Sequence, residues 1–589
     1  MHVWLILPTI VTGSDGARLR EALDSRSHLN PFTGVVIMHA IIPSIEPLES
    51  RIAPAIIIAA NALSAKWTDV DGDLVTLNVN KPVLDLGNFQ YGPRGLGDEV
   101  NKISVIVAGL DITITAKPQD VNADGLKEGD GLVNIGWISA SGVNLGKVSI
   151  AGDLAEIDAG DNLGTALKSL TVRSLGERGF DTGGADLEST LAGRLGALVV
   201  KGNVRDAEVR TTGPFGSIGS VFIGGSLIGG ATQQQGGIFS DGVLGPVKIV
   251  GDVVGGSAEF SGGLASNGRM VSVTIGGSLI GGTALRTGTI ESQGEMGPVK
   301  IAGDVRGGSG LSSGIILGRE AVTSVTIGGS LVGGSGDSSG RLTAEGKFGP
   351  LKICRDVVGS VDAGTGSIFG FESLSSVTIG GSMFGGRIGG SSTVGAVSVK
   401  GSIIGTAADP VSIDAVGTLT SSSKPDIALK SLKVGGRVEW ANLLFGISEN
   451  KGINGDVQIG PIAVGGDWIT SNLAVGIDPT NGSFGDASDK AVVPGVPFFG
   501  AFTRNDPTVL SKIASVAIGG GVYGVNGTPG LTHFGFVAEQ IGSFKVNGVN
   551  LPLKSGAKND TFALNAARAV GASLSTVDVD GFAVHVIEV

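Results

Sequence analysis

Of 589 residues one is cysteine, Cys354, five are histidine and 5% are aromatic. A lone cysteine excludes an internal disulfide framework. A long cysteine-poor chain suits an exported bacterial protein. The histidines, at 2, 28, 39, 533 and 585, are scattered, with no metal-ligand spacing and no partnered serine or cysteine. Basic residues number 42 against 54 acidic ones, for a net charge of −12, and they are spread along the chain. That distribution offers no basic face, so nucleic acid is not an expected partner. Both apolar runs near the N-terminus, Val3–Val11 and the one within 51–65, are too short to form a transmembrane span.

Glycine is what the chain has in abundance, with 102 residues, more than twice the average usage of about 7%. It is periodic. The phrase Ser272-Val-Thr-Ile-Gly-Gly-Ser-Leu-Ile-Gly-Gly282 recurs at Ser324 and, slightly altered, at Ser220 and Ser376, always 52 residues apart. A sister phrase at Gly245, Gly297 and Gly349 falls halfway, so the underlying period is 26. A fixed period of this kind marks a repeat architecture. Aligning the coils that start at Val221, Val247, Val273, Val299, Val325 and Leu351 puts apolar residues in columns 1, 3, 7, 18 and 24. Column 16 is glycine in all six, Gly236 to Gly366. One coil buries too little to hold itself together, but stacked coils turn these columns into continuous interior ladders. Val-x-Ile followed by Gly-Gly reads as a short strand ended by a tight turn. The column-16 glycine reads as a corner needing positive φ or close backbone approach.

Outward columns alternate. Column 2 runs Phe222, Lys248, Thr274, Lys300, Thr326, Lys352, Thr378, and column 6 runs Ser226, Asp252, Ser278, Asp304, Ser330, Asp356, Ser382. In a parallel stack this doubles the like-charge spacing to roughly 9.6 Å, near a Debye length. It also places Lys and Asp of one coil on neighbouring outer faces. The expected fold is all-β: a right-handed parallel β-helix of about 26 residues per three-sided coil, with a small N-terminal β cap. A kelch-type propeller is disfavoured because its half-repeats would not resemble each other. A left-handed β-helix runs on hexapeptides, which 26 does not accommodate.

Weaker copies, from Lys147-Val-Ser-Ile-Ala-Gly-Asp153 to Thr576-Val-Asp-Val-Asp-Gly581, extend the pattern to some sixteen coils, a rod roughly 75 Å long at one strand spacing per coil. The expected organisation is a leader over 1–65, a β capping region over 66–145, a regular solenoid over 146–405, and a less regular one over 406–589. Loops are expected to bulge around Pro479–Pro507, and Thr561–Val570 is expected to form a short helix.

The leader holds Glu46-Pro-Leu-Glu-Ser-Arg-Ile-Ala-Pro-Ala55, followed by an apolar run with small residues near Ala65. This resembles the Leu-Glu-Pro-Arg-x-Leu-Leu type motif near the start of large, repetitive, exported bacterial proteins. Ser50 stands where that motif has proline. The resemblance implies export to the envelope or cell surface and assigns no biochemistry. Residues 1–37 look unlike the rest, which makes Met38 an alternative start.

Two acidic turns carry the strongest chemical signal. In Asp120-Val-Asn-Ala-Asp-Gly125, the oxygens of Asp120, Asn122 and Asp124 with Gly at position 6 match the first half of a calcium loop. The segment resembles dockerin-type and EF-hand loops, but position 12 is Gly131 instead of a bidentate acid, with Glu128 and Asp130 nearby. The second turn presents Asp69, Asp71 and Asp73. Calcium is the candidate ligand for both, with a solvated Asx turn as the alternative; its expected role is to stiffen the cap. The acids Asp252, Asp304 and Asp356 obey the repeat, whereas a catalytic site would break it. The Gly-Gly-Ser recurrences lack the Gly-Lys-Ser/Thr of a phosphate loop. The expected function is therefore an exported structural or adhesive solenoid, with a cell-surface, matrix or polysaccharide partner. The alternative is a carbohydrate-active β-helix enzyme, with Asp467, Trp468 and Asp478 as its first candidates.

Overall fold

Val221, Val247, Val273, Val299, Val325, Leu351 and Val377 pair in sequence as parallel neighbours, and so do Ile223 through Ile379 two residues on. In this computed structural model each 26-residue period is one rung of a parallel β-helix. The structure describes residues 56–182, 186–232, 236–361, 363–419, 426–498, 501–524, 533–564, 569–570, 573–574 and 584–589. The export-type motif and most of the expected leader lie outside them. The exception is the end of that segment, where Ile57–Ile58 pairs antiparallel with Ser64–Thr68, so the ordered cap begins ahead of the expected boundary at 65.

A regular rung has three strands. In the one that starts at column 1 with Val273 they are Met270–Ile275, Leu279–Ile280 and Ile290–Ser292, each paired in parallel with its counterpart above and below. Side chains alternate across a strand, so columns 1, 3, 7, 18 and 24 all point inward. From Val221 to Leu374 none of them is more than 3% exposed. Direct parallel pairing of the two half-repeats rules out propeller blades.

Corners explain the glycines. Column-16 glycines have φ between +57° and +67°, and a Cβ on Gly288 would lie 2.1 Å from the Ile280 carbonyl oxygen. Both expected reasons for glycine, backbone sign and close approach, hold at this position. In the coils from Val247 to Leu351 the neighbouring column 15 carries Ser or Thr. Its hydroxyl accepts the N–H of the residue five earlier, as in Gly282 to Thr287 at 2.9 Å and Gly308 to Ser313 at 2.9 Å.

Past the regular rungs the first face continues in register while the rung length varies, one short rung followed by longer ones: Val377 pairs with Val397, then Leu432, Ile462, Val516 and Phe544. The extra chain forms small hairpins, among them Ile477–Pro479 with Asp489–Ala491 and Pro497–Phe498 with Ala501–Phe502. Aromatics widen the core here, with Phe536 4.8 Å from Trp468 and 4.7 Å from Phe544 between ring centroids.

Both ends finish in antiparallel strands. At the N-terminal end Ser64–Thr68, Leu74–Val79 and Ile112–Thr115 form a meander, and the last of these passes parallel pairing on to Leu145–Ile150. Beside it, Phe89–Arg94 closes against Gly97–Ser104, which pairs in parallel with Val133–Ser141. At the C-terminal end Thr561–Leu564 is a strand antiparallel to Val584–Glu588. The expected helix is therefore wrong at its start, because Phe562 and Leu564 gain cross-strand partners there; residues 565–568 lie outside the described residues.

Candidate cation site in the N-terminal cap

The turn joining Ser64–Thr68 to Leu74–Val79 carries Asp69, Asp71 and Asp73. Asp69 closes it by accepting the Asp73 N–H at 2.9 Å. Gly72, at φ +105°, turns the chain where a Cβ would meet the Glu128 Cβ at 2.7 Å. The partner at that contact lies just beyond the Asp120–Gly125 loop, so the structure brings the two acidic turns together. Gln119 and Glu128 form a bridge, Asp73 bridges to Pro118, and the Gly131 N–H donates to Asp73 Oδ2 at 2.7 Å. Gly131, the residue that breaks the calcium-loop pattern at position 12, is thus the clamp between the turns.

Oxygen atoms of Asp69, Asp71 and Asp73 lie within 4.8 Å of one another, and so do those of Asp120, Asp124 and Glu128. Glu128, which stands outside the calcium-loop pattern in sequence, joins the outer trio, and its Oε2 accepts the Val121 N–H. Asn122 does a turn residue's work, accepting the Asp124 N–H at 3.1 Å. Asp120 and Asp124 likewise accept loop N–H groups, and this outer trio is largely exposed. The inner trio differs. Asp73 is fully buried, and its Oδ1 has no hydrogen-bond donor. Among the described residues none of these acids makes an ion pair with Lys or Arg. Burial first, then a hydrogen bond and like charge from Asp71, push the Asp69 carboxyl up to about 8. Burial also raises Asp73, partly opposed by the Gly131 N–H.

The repeated acids have a different job. Ser278 N–H donates to Asp252 Oδ1 at 2.7 Å, Asp304 N–H to Ser278 Oγ at 3.1 Å, and Ser330 N–H to Asp304 Oδ1 at 2.7 Å. Column 6 is a ladder in which each side chain accepts the N–H of the same column one rung on, at a corner where the backbone has left its sheet. The ladder starts at Asn203 with Ser226, runs to Ser402 with Arg437, and reappears where Asp467 accepts the Gly521 N–H. Burial works against the charge on Asp304, but the Ser330 N–H and Arg306 outweigh it and hold the carboxyl below its ordinary range. Asp304 pairs with Arg306; no ion pair among the described residues joins a column-2 Lys to a column-6 Asp, because the carboxylates turn toward the corner N–H groups.

The three residues singled out for carbohydrate chemistry are not brought together as a site. Asp467 is a ladder residue. Trp468 is a core side chain with no exposure, its Nε1 donating to the Ser471 carbonyl at 2.9 Å. Asp478 sits on the Ile477–Pro479 hairpin. A cleft that sequence reading missed lies nearby. Parallel pairing of Gly535 with His585 brings His533 and His585 to 5.8 Å between ring centroids. With Asp486 and Asp489 they line an open cleft of about 820 Å³. Burial pushes the Asp489 carboxyl up to about 6, against two loop N–H groups. His2, His28 and His39 lie outside the described residues. Cys354, in column 4, is a free, exposed thiol.

Comparison with family models, with curated proteins and with solved structures found no match for this chain. No helix among the described residues is long and apolar enough to cross a membrane.

Proposed function

We propose that this chain is a non-enzymatic structural or adhesive solenoid, exported to the bacterial surface or envelope, where it acts as a spacer, matrix component or adhesin stalk toward a surface or polysaccharide partner. The observation that carries this reading is the column-6 ladder. The aligned acids that a β-helix enzyme would need on one face are occupied in accepting corner N–H groups, rung after rung. Along the regular rungs the outer faces therefore repeat one surface. The export-type motif supports the location. Fractionating native cells and probing for the chain tests it: recovery with the envelope or medium is expected, and recovery in the cytosol overturns it.

The C-terminal cleft favours a second reading, a carbohydrate-active enzyme using Asp489 with His533 and His585. Incubation with a panel of polysaccharides discriminates. The structural reading expects no new reducing ends or unsaturated products. Release of either, abolished by Asp489→Asn, would replace it with the enzymatic one.

A further inference from the structure

We infer that the turn carrying Asp69, Asp71 and Asp73 is a Ca²⁺ site that locks the N-terminal cap, independently of what the solenoid presents on its outer faces. Oxygen ligands of one calcium ion each stand about 2.3–2.6 Å from it, so ligands on opposite sides are roughly 5 Å apart. Three carboxylate oxygens within 4.8 Å of one another therefore fit a common ion. Acidic turns of this composition are common without a cation, and the outer trio of Asp120, Asp124 and Glu128 carries no such claim. What separates the inner trio is Asp73, whose side chain has no exposure and whose Oδ1 has no donor.

Buried carboxylates in proteins are ion-paired, hydrogen-bonded or metal-bound. No Lys or Arg among the described residues pairs with Asp69, Asp71 or Asp73. The Gly129 backbone packs directly against the Asp73 carboxylate, so that an added Cβ would lie 2.2 Å from Oδ1 and no side chain at that position could supply a donor. A hard cation supplies the missing charge with the ligand type that Ca²⁺ prefers. Mg²⁺ is a poorer fit because it dehydrates reluctantly and demands near-ideal octahedral geometry. The ion would tie the Asp69–Asp73 turn to Gly131 through Asp73, and so join the two loops that cover the first rung.

Trp67 stands two residues before Asp69 on the same hairpin, close enough to sensitise a lanthanide. The test uses the full chain, stripped with a chelator and titrated with Tb³⁺ under tryptophan excitation, then competed with Ca²⁺ and with Mg²⁺. One saturable site per chain is expected, with a calcium Kd on the order of 10⁻⁴ M or tighter, weak competition by Mg²⁺ and loss of the signal in Trp67→Phe. Asp73→Asn should weaken binding at least tenfold with the far-UV spectrum unchanged. If that variant does not fold, Asp71→Asn, at an exposed position, should give the same loss. The double variant Asp120→Asn with Asp124→Asn should bind as the parent does. No saturable binding at millimolar calcium, or unchanged affinity in the Asp71 variant, overturns the proposal. So does loss of binding in the outer-loop double variant.

Discussion

Glu208 has 1% exposure and accepts one bond, from Arg210 Nε to its Oε1 at 2.6 Å; Oε2 has no partner. Burial outweighs Arg210, Glu188 adds like charge, and the carboxyl is pushed up to about 7. A folded-state value above the unfolded one means the native state holds the extra proton. The stability linked to this group is thus complete below the unfolded value and is lost as pH rises toward and through 7. The loss is on the order of 3 kcal/mol. Glu208→Gln should flatten that part of the profile: thermal midpoints of parent and variant should diverge from pH 5 to pH 8, with the variant the more stable at pH 8. Arg210 remains seated over the Phe239 ring, 4.9 Å from its centroid, so loss of its ion pair is not expected to loosen the face. Parallel profiles would show that Glu208 ionises normally.

Two element-scale features can be separated by substitution. At the corner glycine, Gly288→Ala meets both a φ of +61° and the Ile280 carbonyl, and should cost about 1–3 kcal/mol or more. In the ladder, Asp304→Ala strands the Ser330 N–H and should cost about 1–3 kcal/mol. Asp304→Ser should recover most of that, because serine is what alternate rungs already use. Thermal midpoints, with amide exchange at Ser330, check both; equal loss in the Ala and Ser variants would mean the ladder carries no weight. The strands and corners were readable in the sequence because in-register stacking makes each column repeat its own chemistry. The alternation was visible in the sequence as charge spacing; the hydrogen-bond ladder it also builds was not, since nothing in a list of Ser and Asp says which N–H lacks an acceptor. His533 and His585 looked scattered because only the pairing of Gly535 with His585 makes them neighbours. Residues 561–564 looked helical because a short apolar run fits either period, and the partner strand decides. The acidic turns were legible one at a time; their contact through Gly131 and Asp73 was not.

At the scale of the molecule, the repeat predicts what can be removed. Excising 273–324 joins Ser272 to Val325 and restores every column, so the product should fold with two rungs fewer, roughly 10 Å shorter, by small-angle scattering. Excising 273–298 also keeps the inward columns but stacks Lys248 against Lys300 and Asp252 against Asp304. It should melt below the two-rung deletion in dilute buffer, and the gap should narrow as salt shortens the Debye length. Equal midpoints at all salt concentrations would show that alternation along the outer faces is neutral.

The antiparallel strands at the two ends acquire a meaning from this. A rung that templates an identical rung has no internal reason to stop, and its bare edge would recruit the next molecule as readily as the next segment of its own chain. Ser64–Thr68 with its neighbours, and Thr561–Leu564 at the far side, reverse direction and present the wrong polarity for further growth. Without them a self-complementary stack would be expected to seed a fibre.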